Sequence, residues 1–132
     1  MIIARIESLI LGKGLNDAYK RADNYLASGA DGVMIHSKDK SPNEIFKFAK
    51  YFKNKFPNVP LVVVPTTFNK VYENEFKNHG IDVVIYANHL LRAAIPAMHK
   101  TALTILKNQR SFEVQKDIMS VKEILNLIPG TK

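Results

Sequence analysis

The chain has 132 residues, 46% hydrophobic and 23% charged, enough for one domain with a real core and ordinary for a soluble globular protein. It has no cysteine, which excludes disulfides, thiolate catalysis and thiolate metal sites. The formal charge is +7, from 19 Lys and Arg against 12 Asp and Glu, a balance that could attract nucleic acid or an acidic membrane surface.

The first element is the strand at residues 2–6, inside MIIARIESLI. Alternation puts Ile3, Arg5 and Glu7 on one side, with Ile2, Ala4 and Ile6 on the other. An arginine in so apolar a strand must be paired or must bind an anion. A helix over 16–28 follows, with Ala18, Ala22, Tyr25 and Leu26 on one face and Gly29 as its stop. The second strand is 32–36, GVMIH. Ser41-Pro42-Asn43-Glu44 reads as a capping box with proline at the first helical position. That helix is expected to bury Ile45, Phe48, Ala49 and Phe52 and to end before Pro57. The third strand is 61–65, LVVVP. A short helix over about 70–78 closes at Gly80, and the fourth strand is 83–87, VVIYA. The longest helix runs over about 90–109. In the tail, Ser120-Val121-Lys122-Glu123 offers a second capping box for a small helix ending near Pro129-Gly130.

Three of the strands are continuous apolar runs, the pattern of parallel strands covered on both faces. Strands alternating with helices predict right-handed crossovers and a parallel sheet. GADGVMIHS and GIDVVIYAN repeat one phrase: Gly, one residue, Asp, an apolar strand, a polar end. The spacing is roughly 30–35 residues per unit, close to that of a (β/α) barrel. The fold expected is α/β, four parallel β/α units making half of a TIM-type barrel, plus C-terminal helices. Gly12-Lys13-Gly14 is too short for a phosphate loop.

Polar residues collect at the carboxyl ends of the strands. They are Arg5 and Glu7, His36 with Ser37 and Lys38, Thr66 and Thr67, and Asn88 with His89. In a barrel that end is the active face. Arg5 is a fixed planar cation suited to carboxylate or phosphate oxygens, and His36 can donate a hydrogen bond or move a proton. The plainer alternative for Arg5 is an ion pair with Glu7. Ser37 reads as a loop cap, Thr66 and Thr67 as partners for local backbone groups, and Asn88 as the cap of the long helix. His79, His89 and His99 show no metal-ligand spacing. Lys47, Lys50, Lys53 and Lys55 lie at helical spacing, as on a solvated face, and neither a Gly-aromatic RNA motif nor a Cys/His finger is present. A nucleic-acid partner is therefore not expected. Nor is a membrane partner, since no apolar run approaches the roughly 20 residues of a span. MIIARIESLI lacks a basic region ahead of its apolar stretch, so it makes a poor signal peptide. These readings fit a cytoplasmic location.

IARIESLILGKGLNDAYKRADNYLASGADGVMIHSK, LVVVPTTF and VVIYANHLLRAAIPAM together resemble the phosphoenolpyruvate mutase family, within the isocitrate lyase and phosphoenolpyruvate mutase superfamily. The resemblance implies interconversion of phosphoenolpyruvate and phosphonopyruvate with magnesium, forming a carbon–phosphorus bond. In the family, the arginine of the AR-x-E strand and the histidine of the IHSK strand contact substrate. These positions are Arg5 and His36 here. Only the second half of the family's barrel is matched, at residues 1–109, with 110–132 as a helical tail. The magnesium ligands and the mobile loop are expected in a missing first half, so the chain alone is expected to be inactive. A phosphonopyruvate hydrolase half and a non-catalytic assembly module are the alternatives. The superfamily often exchanges C-terminal helices between subunits. The apolar Leu103, Ile105, Leu106, Phe112, Val114 and Ile118 agree with a homo-oligomer formed that way.

Overall fold

Apolar runs too short and too uniform for surface helices become the strands of one parallel sheet. The structure, a computed structural model, describes residues 1–128 and 130. One unit, Met1–Ala87, holds β1 (Ile3–Ile6), α1 (Gly14–Ala27), β2 (Gly32–Ile35), α2 (Asn43–Lys55), β3 (Leu61–Val63), α3 (Glu73–Asn78) and β4 (Val83–Val84). A second, Asn88–Lys132, holds α4 (His89–Asn108), a 3-10 turn (Phe112–Val114) and α5 (Val121–Leu125).

The sheet order is β1-β2-β3-β4, every neighbour parallel, as the alternating pattern predicts. One face carries Ile6, Val33, Ile35, Leu61 and Val63, all fully buried in the main core. Against it pack Ala18 and Ala22 of α1 and the four expected residues of α2, Ile45, Phe48, Ala49 and Phe52. Phe48 stacks between Tyr19 at 5.9 Å and Phe52 at 5.8 Å, ring centre to ring centre. The strands are shorter than the apolar runs suggest. Beyond Val63 and Val84 the side chains keep their apolar character, but regular pairing stops.

The repeated Gly-x-Asp phrase has a physical role. Gly29 and Gly80 adopt φ of +95° and +78° and end α1 and α3 in the same hydrogen-bonded turn. In that turn Gly29 and Ala30 donate to Leu26 and Tyr25, and Gly80 and Ile81 donate to Lys77 and Phe76. The aspartate that follows then clamps the chain at the start of the preceding strand. Asp31 N–H donates to Ile2 C=O at 2.8 Å, and its Oδ2 accepts Ile2 N–H at 2.5 Å. Asp82 N–H donates to Leu61 C=O at 3.0 Å, and its Oδ2 accepts Leu61 N–H at 2.7 Å. Lys53 adds a third arm, donating to Asp82 Oδ2 at 2.7 Å and to Val59 C=O at 2.8 Å. Asp82→Ala should destabilise the unit by about 1–3 kcal/mol in urea denaturation, because it strands the N–H of a fully buried residue. Asp31→Ala should cost less, since Ile2 is 65% exposed and water can replace the carboxylate. Equal losses would show that burial does not set the difference.

Two helix starts depart from expectation. Ser41 does not form a capping box: α2 begins one residue later, with Pro42 at the cap and no side-chain cap bond. Ser41 Oγ accepts Asn43 N–H at 3.3 Å, and Ser41 N–H goes to Asp39 at 3.1 Å. Glu44 is drawn away to Ser37. Residues 70–72 are not helical, and α3 starts at Glu73.

In the second unit, Ser120 forms the full capping box with Glu123 as expected, and α5 ends at Leu125. Pro129, the expected end of that helix, lies outside the described residues. Asn88 occupies the cap position of α4 without a side-chain cap bond. No residue of α4 is buried; Leu103 is 51% and Leu106 75% exposed. Phe112 is 75% exposed, whereas Val114 is buried and so is not available to a partner. No helix among the described residues is long and apolar enough to cross a membrane.

Candidate functional site

The face of the sheet away from the core is where alternation sends Arg5. Register sets Arg5 beside Met34, Val62 and Val83 in one row. Two residues further along their chains, Glu7 and His36 return to the same face. Arg5 and His36 therefore share an open face at the carboxyl ends of adjacent strands. The arginine is not buried in this chain: its side chain is 54% exposed and pairs with Glu7. The plainer sequence reading of Arg5, an ion pair with Glu7, is thus present together with the shared face.

His36 is half-buried, and its buried Nδ1 has no hydrogen-bond partner among the described residues. Burial holds its pKa below the ordinary 6.5, and the Arg5 cation adds to the effect. The Glu7 carboxylate and a backbone hydrogen bond to Val64 oppose it. A depressed histidine pKa means that the unfolded chain binds the proton first as pH falls. Stability is therefore expected to be full above about pH 6.5 and to decline as pH drops from there toward the folded value. His36→Gln should flatten that part of a urea-midpoint profile against pH. An unchanged slope would remove His36 as its source.

The other strand-end residues do structural work. Ser37 is buried; its Oγ donates to Glu44 at 3.3 Å and accepts Asp39 N–H at 3.1 Å, the loop cap expected of it. Thr67 Oγ1 donates to Ser37 C=O at 2.9 Å, tying the loops after β2 and β3 together. Thr66 N–H donates to Val64 C=O at 2.9 Å. Lys38 is exposed. Asn88 and His89 belong to the second unit, at the start of α4.

Ser8 escaped the sequence reading. It is buried just past β1, and its Oγ donates to Asp17 at 2.6 Å, while Arg21 Nε donates to the same oxygen at 2.7 Å. The Ser8 bond and then Arg21 hold the Asp17 carboxyl below its usual range. This ties the loop after Glu7 to α1. Nothing local marks it, because the partners are nine residues apart across a loop.

Four parallel strands in sequential order, alternating with helices, define a protein of the α/β class, arranged as in part of a (β/α) barrel. The chain belongs to the phosphoenolpyruvate phosphomutase family, whose model matches residues 1–106. It is 39% identical over 126 residues to the phosphoenolpyruvate phosphomutase of Tetrahymena pyriformis, covering 96% of this chain and 41% of that protein. The crystal structure of phosphoenolpyruvate phosphomutase from Streptomyces platensis subsp. rosaceus matches with a TM-score of 0.86 at 40% identity, covering 95% of this chain and 42% of that one. A phosphonopyruvate hydrolase in complex with oxalate and Mg++ matches with a TM-score of 0.82 at 38% identity, over 95% and 44% of the two chains. The chain thus spans about two fifths of the length of these relatives, and its four strands match part of a phosphomutase barrel.

The hydrolase structure contains magnesium. Among the described residues of this chain, no three His, Asp or Glu side chains cluster as the ligands of a metal ion do. Glu7, the acid on the open face, is engaged with Arg5.

Proposed function

We propose that this chain is the C-terminal half of a phosphoenolpyruvate mutase-type barrel and carries the Arg5 and His36 part of a substrate anion site. Residues 1–109 are the barrel half, and 110–132 the helical tail. The observation that carries the reading is the shared open face: a planar cation and an imidazole at the ends of neighbouring parallel strands. A companion first half would supply the acids for magnesium and complete the interconversion of phosphoenolpyruvate and phosphonopyruvate. In such a phosphoryl transfer the protein mainly positions the reactant and balances its charge. The apolar concavity lined by Ile3, Met34, Val62 and Ile85, about 480 Å³, supports the reading, because the inside of a closed barrel is filled by such side chains.

The test is a titration of the 132-residue chain with phosphonopyruvate, then an assay with magnesium after adding the first half of a related mutase. Binding without turnover is expected for the chain alone, and turnover only in the reconstituted barrel. Turnover by the chain alone with magnesium would sink the reading.

Phosphonopyruvate hydrolase is the second reading, favoured by a similarity equal or nearly equal to that of the mutases above: 39% against 39% between sequences and 38% against 40% between structures. Release of inorganic phosphate in the reconstituted assay marks the hydrolase, and phosphoenolpyruvate marks the mutase. A non-catalytic assembly module is supported by the open edges of β1 and β4; failure to bind phosphonopyruvate would favour it. The exposed Leu103, Leu106 and Phe112 support a homo-oligomer through the C-terminal helices. Light scattering that gives a clean 14.9 kDa monomer at micromolar concentration would overturn that.

A further inference from the structure

We propose that the Arg5, Glu7 and His36 group binds an oxyanion by exchange: the ligand displaces Glu7 from Arg5 and brings one proton onto His36 Nδ1. This rests on the substrate-site reading above and adds how the charge of the site is balanced.

The Arg5 guanidinium already has an anion, the Glu7 carboxylate of its own strand. An incoming oxyanion must compete with it. Glu7 is 39% exposed, so it can swing to water when displaced. His36 Nδ1 is the complementary gap. It is a buried polar atom with no partner among the described residues, and such atoms are costly unless a ligand or water meets them. A backbone hydrogen bond to Val64 acts on the ring, and Nδ1 is its buried nitrogen without a partner among the described residues. In the neutral ring with the proton on the other nitrogen, Nδ1 is a bare lone pair. A lone pair repels an oxyanion, whereas a protonated Nδ1 donates to it.

Protonation of the unliganded site would set a second cation near Arg5 with no acceptor. A ligand oxygen lying between Arg5 and His36 removes both objections at once. Among the described residues, the charged groups that act on the ring are Arg5 of β1 and Glu7 just past its end. Val64, whose backbone meets the ring, directly follows β3, and Glu44 of α2 is turned to Ser37. Lys38, two residues on, is exposed. Neither Glu44 nor Lys38 is among the groups that shift His36.

The free group sums to zero: Arg5 plus one, Glu7 minus one, His36 neutral. An oxyanion leaves it negative, and one proton taken from solvent offsets one of those charges. The more negative the ligand, the stronger its pull on that proton. Proton uptake should therefore be strongest with a dianion, such as a phosphonate or phosphoryl group or a dicarboxylate, and weaker with a monoanion.

The experiment is calorimetric titration of the 132-residue chain with sodium sulfate, a tetrahedral dianion whose charge is constant across neutral pH. It is run in two buffers of different protonation enthalpy, with His36 ring shifts followed by NMR. The expected result is uptake approaching one proton per sulfate, with affinity falling up to tenfold per pH unit above the free His36 pKa. The His36 pKa should rise on adding sulfate. Glu7→Gln should bind sulfate several-fold more tightly, because the internal competitor is gone. Its free His36 pKa should drop further, which a merely structural glutamate removed elsewhere would not cause. His36→Asn should bind without proton uptake. Sulfate binding with no proton uptake and no pH dependence in the parent chain would overturn the exchange and leave the anion site standing. No binding to either the parent or Glu7→Gln would overturn the anion site and the exchange with it.

Discussion

Arg5→Ala, in a barrel completed with a related first half, should slow loss of phosphonopyruvate by about 30-fold to a few thousandfold, the equivalent of about 2–5 kcal/mol. The arginine stands on the open face with its side chain half in solvent, and closing the barrel would turn that face inward. A charge-assisted bidentate pair is worth most when water is excluded from it. Arg5→Lys keeps the charge but not the planar fork, so it should fail to restore the rate. Without the cation that lowers it, the free His36 pKa should rise in the arginine variant, so the pH dependence of binding should move to higher pH. A reconstituted Arg5→Ala enzyme as fast as its parent would return Arg5 to a structural ion pair with Glu7.

The second large effect is on stability. Phe48→Ala should cost about 3–5 kcal/mol, against the roughly 5–15 kcal/mol that holds a domain together. Phe48 is fully buried and stacked between Tyr19 and Phe52, so truncation leaves a cavity in the layer joining α1 and α2. A urea curve with its midpoint shifted far down, or a loss of cooperative unfolding, is the expected outcome. Phe48→Leu should cost much less, because it removes little volume. A Phe48→Ala midpoint within experimental error of the parent would mean that this aromatic layer does not hold the unit together.

Much of the fold was legible because its signals are short-range. Alternation along β1 put Arg5 and Glu7 on one face, and the spacing of Ile45, Phe48, Ala49 and Phe52 marked the buried side of α2. Gly29 and Gly80 ended helices because the backbone there must turn with positive φ. The two capping boxes show the limit. Ser120 and Glu123 close theirs, since every partner lies within four residues and nothing nearby competes. Glu44 does not, because Ser37, brought close by the end of β2, offers its hydroxyl instead.

The sequence by itself determined four parallel β/α units, the buried side of α2, and the position of Arg5 and His36 at the carboxyl ends of their strands. These follow from side-chain period and from glycine, which act within a few residues of chain. Only the tertiary structure decided what those residues face. The Gly-x-Asp repeat was readable as a repeat. Its work as a clamp on the start of the preceding strand depends on Asp82 reaching Leu61 across 21 residues and Asp31 reaching Ile2 across 29. The state of His36 likewise depends on burial, on a guanidinium held by Glu7, and on Val64 just past β3. Electrostatics and hydrogen bonds act through space, so the ionisation of a site belongs to the folded arrangement and not to the order of its residues.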